Sequence, residues 1–352
     1  MIHDENIELQ NFLTTLLGDC LWIMLYKKGV LKKLFIKLCR LLGYELIDQA
    51  DMSFATSPSQ ENPSILGNKS ITLPLGEIKI ARKIKSLDII VKTCTSVNLV
   101  TQSKNRIFEA KKSEYTFRTI NSLIKSLLYA QRKMSSIKFN ITVIDSGSLA
   151  DDLKKIEEIL NKSSFSFNII NLNLNDYVDR IKIIQKNNKQ IEDNMKSTMA
   201  SIIKSFEISK NLNDLIYFVE DDYIHKADSI LEMLLVYEKF ATIFKDEIFL
   251  VPVDYPYLYQ KSHSSSILIG QHYHWRSISE SLLTFLTSKD MINKYYKDLI
   301  KMGEIEHSPY ETILHNIYNK EKCFSPIPSL ALHCTNVNSV FGLSPNINYK
   351  KL

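Results

Sequence analysis

The chain has 352 residues, of which 45% are hydrophobic and 24% charged, enough to bury a substantial core in one large domain or two smaller ones. This composition excludes a disordered tail and a disulfide miniprotein. Forty-four basic residues against 39 acidic ones leave a net charge of only +5, too little to make nucleic acid the main partner.

The five cysteines, Cys20, Cys39, Cys94, Cys323 and Cys334, are scattered and form no C-x-x-C pair, so neither zinc nor redox chemistry is indicated and a reducing, cytoplasmic setting fits best. Asp19, Lys27 and Lys28 interrupt the best candidate for a membrane span, which needs about 20 uncharged apolar residues. The acidic start Met1-Ile2-His3-Asp4-Glu5 is unlike the basic opening of a signal peptide.

In chain order, the first element is a helix over Val30 to Leu42, with Val30, Leu31, Leu34, Phe35, Leu38 and Leu41 on one face and Lys32, Lys33, Lys37 and Arg40 on the other. Six positive charges and no negative one lie between Leu21 and Leu42. Two readings fit. The helix packs on the main domain with its lysines in water, or residues 21–42 dock peripherally on an anionic membrane at the inner face. Residues 50–80 are rich in Ser, Pro, Asn and Gln without a period and read as a linker. The expected organisation is a helical extension (1–49), the linker, and a catalytic domain (81–352) with a donor half at about 87–225 and an acceptor half at about 226–345.

Beyond the linker, strands and helices alternate. Strands are expected at Asp88–Thr93, Phe139–Ile144, Phe165–Ile170 and Asp214–Val219, and helices at Tyr115–Arg132 (Leu123, Leu127 and Leu128 inward), Leu149–Leu160 and Asn194–Ser209. Asp228 and Ser229 then open an apolar helix at Ile230, where acids favour the N-terminus. Over Phe249–Tyr259 another strand follows and breaks into an aromatic, proline-containing turn. The spacing implies an α/β fold, a mainly parallel Rossmann-like sheet flanked by helices.

In such sheets ligands bind beyond the carboxyl ends of the strands, where two acidic groups fall: Asp145, and the triplet Glu220-Asp221-Asp222. Three consecutive carboxylates repel one another, which is tolerable mainly where a hard cation or strong donors compensate. A divalent metal bridging to a diphosphate would do so.

These residues also carry a resemblance. The order Asp-Ile-Ile-Val strand, long helix, Ile-Thr-Val-Ile-Asp-Ser-Gly-Ser, then Ile-Tyr-Phe-Val-Glu-Asp-Asp-Tyr resembles GT-A fold glycosyltransferases of the family 2 kind, from about Leu87 to Pro345. The resemblance implies that Asp145, with Ser146 beside it, binds the donor's uracil or ribose, and that Thr93, Cys94 and Thr95 are positional candidates for the base. It also implies that Glu220 and Asp222 match the outer residues of the D-x-D-like element, which holds Mn or Mg on the nucleotide-diphosphate sugar. Asp222 is then the direct ligand, while whether Glu220 or Asp221 faces the ribose stays open. His274-Trp275-Arg276, Leu343-Ser344-Pro345 and His333 correspond to further family elements, and His333 is a candidate to complete the metal shell.

Gln271-His-Tyr-His-Trp-Arg276 concentrates aromatic and hydrogen-bonding groups suited to a sugar, with His272, His274, Trp275 and Arg276 as acceptor-binding candidates; a buried aromatic strand is the alternative. An inverting transfer needs a carboxylate base. The candidates are Glu311 and Glu306, with Glu304 nearby and Asp254 in reserve; a Ser308-Pro309-x-Glu311 capping box would give Glu311 a structural role. The implied function is metal-dependent, inverting transfer of a sugar to a glycan or lipid-linked acceptor in bacterial surface polysaccharide synthesis. The alternatives are a nucleotidyltransferase making sugar nucleotides, although no Gly-rich loop follows the first strand, and a non-catalytic membrane-surface module.

Overall fold

The computed structural model describes residues 30–44, 79–96, 107–108, 111–184, 189–259, 264–306, 311–334, 339–345 and 348. Residues 21–29, the linker up to residue 78, and Ser308 and Pro309 of the expected capping box lie outside these. The chain divides into two units, Met1–Glu77 and Ile78–Leu352. The described part of the first is helix α1, Val30–Leu41.

The second unit opens with β1 (Ser86–Thr93), α2 (Lys112–Lys133), β2 (Lys138–Asp145), α3 (Ala150–Asn161), β3 (Ser166–Asn171), α4 (Lys189–Ser209) and β4 (Leu215–Glu220). Strands β1 and β4 are buried along nearly their whole length, with apolar runs at Ile89–Val91 and Leu215–Val219, which suits strands covered on both faces. The helices between these strands supply the long crossovers that parallel pairing requires. On α2, Leu123 and Leu127 are buried, but Leu128 is 37% exposed; one residue further along a helix turns a side chain by about 100° and out of the stripe.

Then come β5 (Tyr223–His225), α5 (Ser229–Phe244), β6 (Phe249–Leu250), β7 (Ile267–Ile269), β8 (His274–Ser277), β9 (Phe285–Ser288), α6 (Lys289–Leu299), α7 (Lys301–Glu304), α8 (Thr312–Tyr318), β10 (Cys323–Ile327) and β11 (Ala331–His333). Nine strands form one sheet in the order β3-β2-β1-β4-β9-β6-β10-β8-β7. Its first four strands are parallel throughout. Beyond β4 it is mixed, because β9 runs antiparallel between β4 and β6 and β8 antiparallel to β10. The fold is thus α/β as expected, with strict parallelism confined to the N-terminal half.

The strand that opens 249–259 ends at Leu250, since Pro252 and Pro256 have no N–H for a ladder, and the expected proline-containing turn is a 3₁₀ turn at Pro256–Tyr259. One local expectation changes. Asp228 stands at the start of α5 but makes no side-chain cap; its carboxylate accepts a hydrogen bond from the Tyr273 hydroxyl at 2.9 Å. A smaller two-stranded sheet, β5 with β11, leaves the main sheet at the carboxyl end of β4.

Helix α7 packs closely on α4 through Gly303, where a Cβ would lie 2.6 Å from the Met199 carbonyl oxygen and 2.5 Å from Ile203 Cγ1. Since the obstacle includes backbone, Gly303→Ala is expected to cost about 1–3 kcal/mol. The measurement is a lowered urea midpoint; an unchanged midpoint would show that the two helices separate freely.

Candidate functional site

The register of β1 with β4 places Lys92 beside Glu220, and the Lys92 Nζ lies 3.6 Å from Glu220 Oε1. Past Glu220 the chain turns through Asp221 and Asp222 into β5. There β11 clasps it: Tyr223 pairs with His333, and the Cys334 amide donates to the Asp222 carbonyl at 2.8 Å. This antiparallel pair brings His333 Nε2 to 3.6 Å from Asp222 Oδ2.

The ring of His333 is held from several sides. Its Nδ1 lies 2.8 Å from the Phe341 carbonyl, so Nδ1 carries the proton and Nε2 is directed at the carboxylate. The ring stacks on Tyr223 with centroids 4.5 Å apart at 15°, and Tyr255 meets it edge-on at 6.2 Å. The two tyrosine hydroxyls share a 2.7 Å hydrogen bond. A neutral Nε2 would face a carboxylate lone pair to lone pair, so a proton or a cation belongs between them. Burial opposes the charged imidazole, but the Asp222 carboxylate prevails and raises the His333 pKa.

The acidic triplet divides its labour by direction. Asp221, buried, accepts from Lys112 Nζ and, at 2.8 Å, from Thr116 Oγ1, both in the first turns of α2. It is a bracket between β4 and α2, not a ribose-facing group. Glu220 instead lies beside Lys92, and Asp222 beside His333.

Glu311 caps no helix through its side chain. It is pushed up to about 7, first by burial, with its own amide opposing and Glu220 adding to the rise, while Lys92 and His333 act against it. Glu311 therefore lies within electrostatic reach of Glu220, Lys92 and His333. Glu306 has the opposite fate. Its carboxylate accepts from the Ile184 amide at 2.5 Å and its own amide donates to the Lys182 carbonyl, tying down the 182–184 segment. Glu304 pairs with Arg180 at 3.3 Å. Asp254 is fully buried, accepts from the Tyr259 hydroxyl and faces Arg276 Nη2 at 3.3 Å. Burial raises its pKa while Tyr259 and Arg276 oppose the rise. An enclosed, paired carboxylate of this kind braces β8 against the loop after β6, and the same bridge accounts for Arg276.

On the donor side the loops after β1 and β2 interlock. Thr93 Oγ1 donates to Asp145 Oδ1 at 2.8 Å, and the amides of Gly147 and Ser148 donate to Asp145 Oδ2 at 3.2 and 3.0 Å. Gly147 has φ +123°, a conformation that favours glycine. The Thr95 amide donates to Ser148 Oγ, and Thr95 Oγ1 accepts from the Leu149 amide, each at 3.0 Å. Ser146 is held by the Thr93 carbonyl and by Ser197. Thr93, Thr95, Asp145 and Ser146 thus lie close together, and Asp145 closes on its own loop, with three acceptor positions taken.

On the acceptor side, Trp275 is 0% exposed, its Nε1 donating to Glu232 Oε1 at 3.3 Å and its ring meeting Phe240 edge-on. It is a core residue with no face for a sugar. Glu232 also accepts from the amides of Gln271 and His272, pinning this loop. His272 and His274 are exposed.

Lys92, Tyr223, Tyr255, Lys112 and Thr116 were not singled out from the sequence. Only Lys92 carried a signal there: it is the one cation in the buried strand Ser-Leu-Asp-Ile-Ile-Val-Lys-Thr, and a buried cation needs a carboxylate. Among the described residues no group of three or more His, Cys, Asp or Glu side chains could hold a metal ion by itself. Asp222 and His333 offer two oxygen and nitrogen donors of the kind divalent ions accept when substrate phosphates complete the shell.

The chain matches no protein-family profile and no curated protein sequence. Among solved structures it is similar to Staphylococcus aureus TarS 1-349 in complex with UDP (11% identity, 62% of this chain and 55% of that one, TM-score 0.34). It is also similar to the galactosyltransferase LgtC with donor and acceptor sugar analogues (11%, 66% and 70%, 0.31) and to UTP-bound UGPase from Acinetobacter baumannii (10%, 72% and 89%, 0.39). The chain spans about half the length of the TarS chains it matches. At such identities and TM-scores these likenesses carry no weight for function.

Removing the bracket should unsettle the fold. Asp221→Ala takes from Lys112 and Thr116 their shared, buried acceptor and is expected to cost about 3 kcal/mol. Thermal unfolding checks this, and an unperturbed melting temperature would free Asp221 for a role in binding.

Proposed function

We propose that the protein is a nucleotide-sugar-dependent glycosyltransferase of the GT-A kind that works with a divalent ion, Mn or Mg, and transfers a sugar to a glycan or lipid-linked acceptor with inversion. The observation that carries this is the confrontation of Asp222 and His333 Nε2 at 3.6 Å, at the carboxyl edge of parallel strands, with a carboxyl near neutral pKa beside it. An ion held by Asp222 and His333 would offset charge on the departing diphosphate.

The chain's own residues account for the rest. Glu311 is the base: a carboxylate with a pKa near the working pH combines a useful ionised fraction with real basicity toward an acceptor hydroxyl. Lys92 holds Glu220 in place beside the diphosphate position. The Thr93–Asp145–Ser148 network, with the buried Ser146 and Thr95 bonded into it, would present a preformed loop to the nucleoside. His272 and His274, exposed on and beside β8, remain the acceptor-side candidates.

Calorimetry with a panel of UDP-, GDP-, CMP- and dTDP-sugars in the presence of Mn tests the donor class, and binding of one of them is expected. Chelator should abolish turnover, and Asp222→Ala should lower it by about 100-fold or more while the protein stays folded. Failure of every nucleotide sugar to bind would overturn the assignment. Pyrophosphate release from a nucleoside triphosphate and a sugar phosphate would replace it with nucleotidyl transfer.

The pH dependence follows from Glu311. Its protonated form cannot accept the hydroxyl proton, so turnover should rise with pH through an apparent pKa of about 7. Glu311→Gln should remove both the activity and that acidic limb. A flat profile from about pH 5 to 8 would exclude Glu311 as the base.

A further inference from the structure

The apolar stripe of helix α1 is uncovered: Leu34, Phe35, Leu38 and Leu41 are 58, 59, 54 and 79% exposed, and Leu42 and Tyr44 extend the surface at 67 and 71%. Lys33, Lys37 and Arg40, also exposed, stand off that stripe. No acidic residue occurs between Asp19 and Glu45, while six basic ones do. A stripe of large apolar side chains left in water is costly.

We infer that α1 is an in-plane anchor that docks the chain on an anionic lipid surface. The chemistry selects this occupant because it must satisfy both faces at once. A polyanion such as nucleic acid would pair with the lysines and leave the leucines in water. An apolar protein groove would take the leucines and leave the concentration of cations without a purpose. At a bilayer surface the leucines and Phe35 sink to the acyl boundary while the lysines meet anionic headgroups. The helix, at 12 residues, lies along the surface rather than crossing it, and among the described residues no helix is long and apolar enough to span a membrane.

Co-sedimentation of the full chain with vesicles of phosphatidylcholine alone, or containing about 30% phosphatidylglycerol, tests the inference. The chain should pellet with the anionic vesicles only and be released by about 1 M salt. Lys33→Gln and Lys37→Gln should each weaken partitioning about fivefold. Leu34→Ser with Leu38→Ser should abolish it without lowering the melting temperature. Equal binding to neutral vesicles, or none to either, overturns the inference. So does a leucine variant that melts early yet still binds, since the stripe would then be packed within the chain, or one that turns a dimer into a monomer, since a second copy would then cover it. If the leucine pair fails to fold, the lysine variants still decide the matter.

Discussion

Two hydrogen-bond acceptors directed at each other across 3.6 Å, the Asp222 carboxylate and the Nε2 of His333, cannot persist without a positive charge between or upon them. Much of the second half of the chain serves to hold them there. The short β5–β11 ladder sets their register, the Phe341 carbonyl fixes the imidazole tautomer, and the Tyr223–Tyr255 pair walls the ring on two sides. The Asp222 carboxylate raises the His333 pKa, which favours a proton on the imidazole. Under the proposed function, a divalent ion held by Asp222 and His333 would supply that positive charge.

Adjacent carboxylates in this protein do different work because their directions and environments differ. Within the triplet, Asp221 is bound to Lys112 and Thr116 as a structural bracket, while Glu220 faces Lys92 and Asp222 faces His333. The same contrast separates Glu306 from Glu311, five residues apart. Glu306 looks unemployed from its sequence context, yet it spends its carboxylate on the Ile184 amide. Glu311 looks like a capping residue, yet it makes no cap and sits half-buried among other charges with its pKa raised. Local sequence left the two acids as alternatives; long-range packing gives them different surroundings.

The basic, apolar-faced α1 and the acidic edge of the sheet are complementary as chemistry. The proposed acceptor class includes lipid-linked glycans, and an enzyme acting on such a substrate gains from being held at the surface where the substrate is concentrated. Anchoring raises the effective concentration of acceptor without requiring any contact in the site itself.

The alternation of apolar β-branched runs with helical periods determined the α/β class and the four N-terminal strands, because burial on both faces of a strand writes itself directly into composition. It also placed Asp145 and the acidic triplet at strand ends, since strand limits and charged residues are both local features. Where those side chains point was decided only in three dimensions. Trp275 became core and Asp254 an enclosed brace because β8 pairs with β10 and lies against the loop after β6. Lys92 met Glu220 only because β1 and β4, more than a hundred residues apart, lie in register. His333 found Asp222 through a two-stranded ladder too short to leave a period in the sequence. Which acid works and which one supports is a property of long-range contacts, and these have no local signature for a single chain to display.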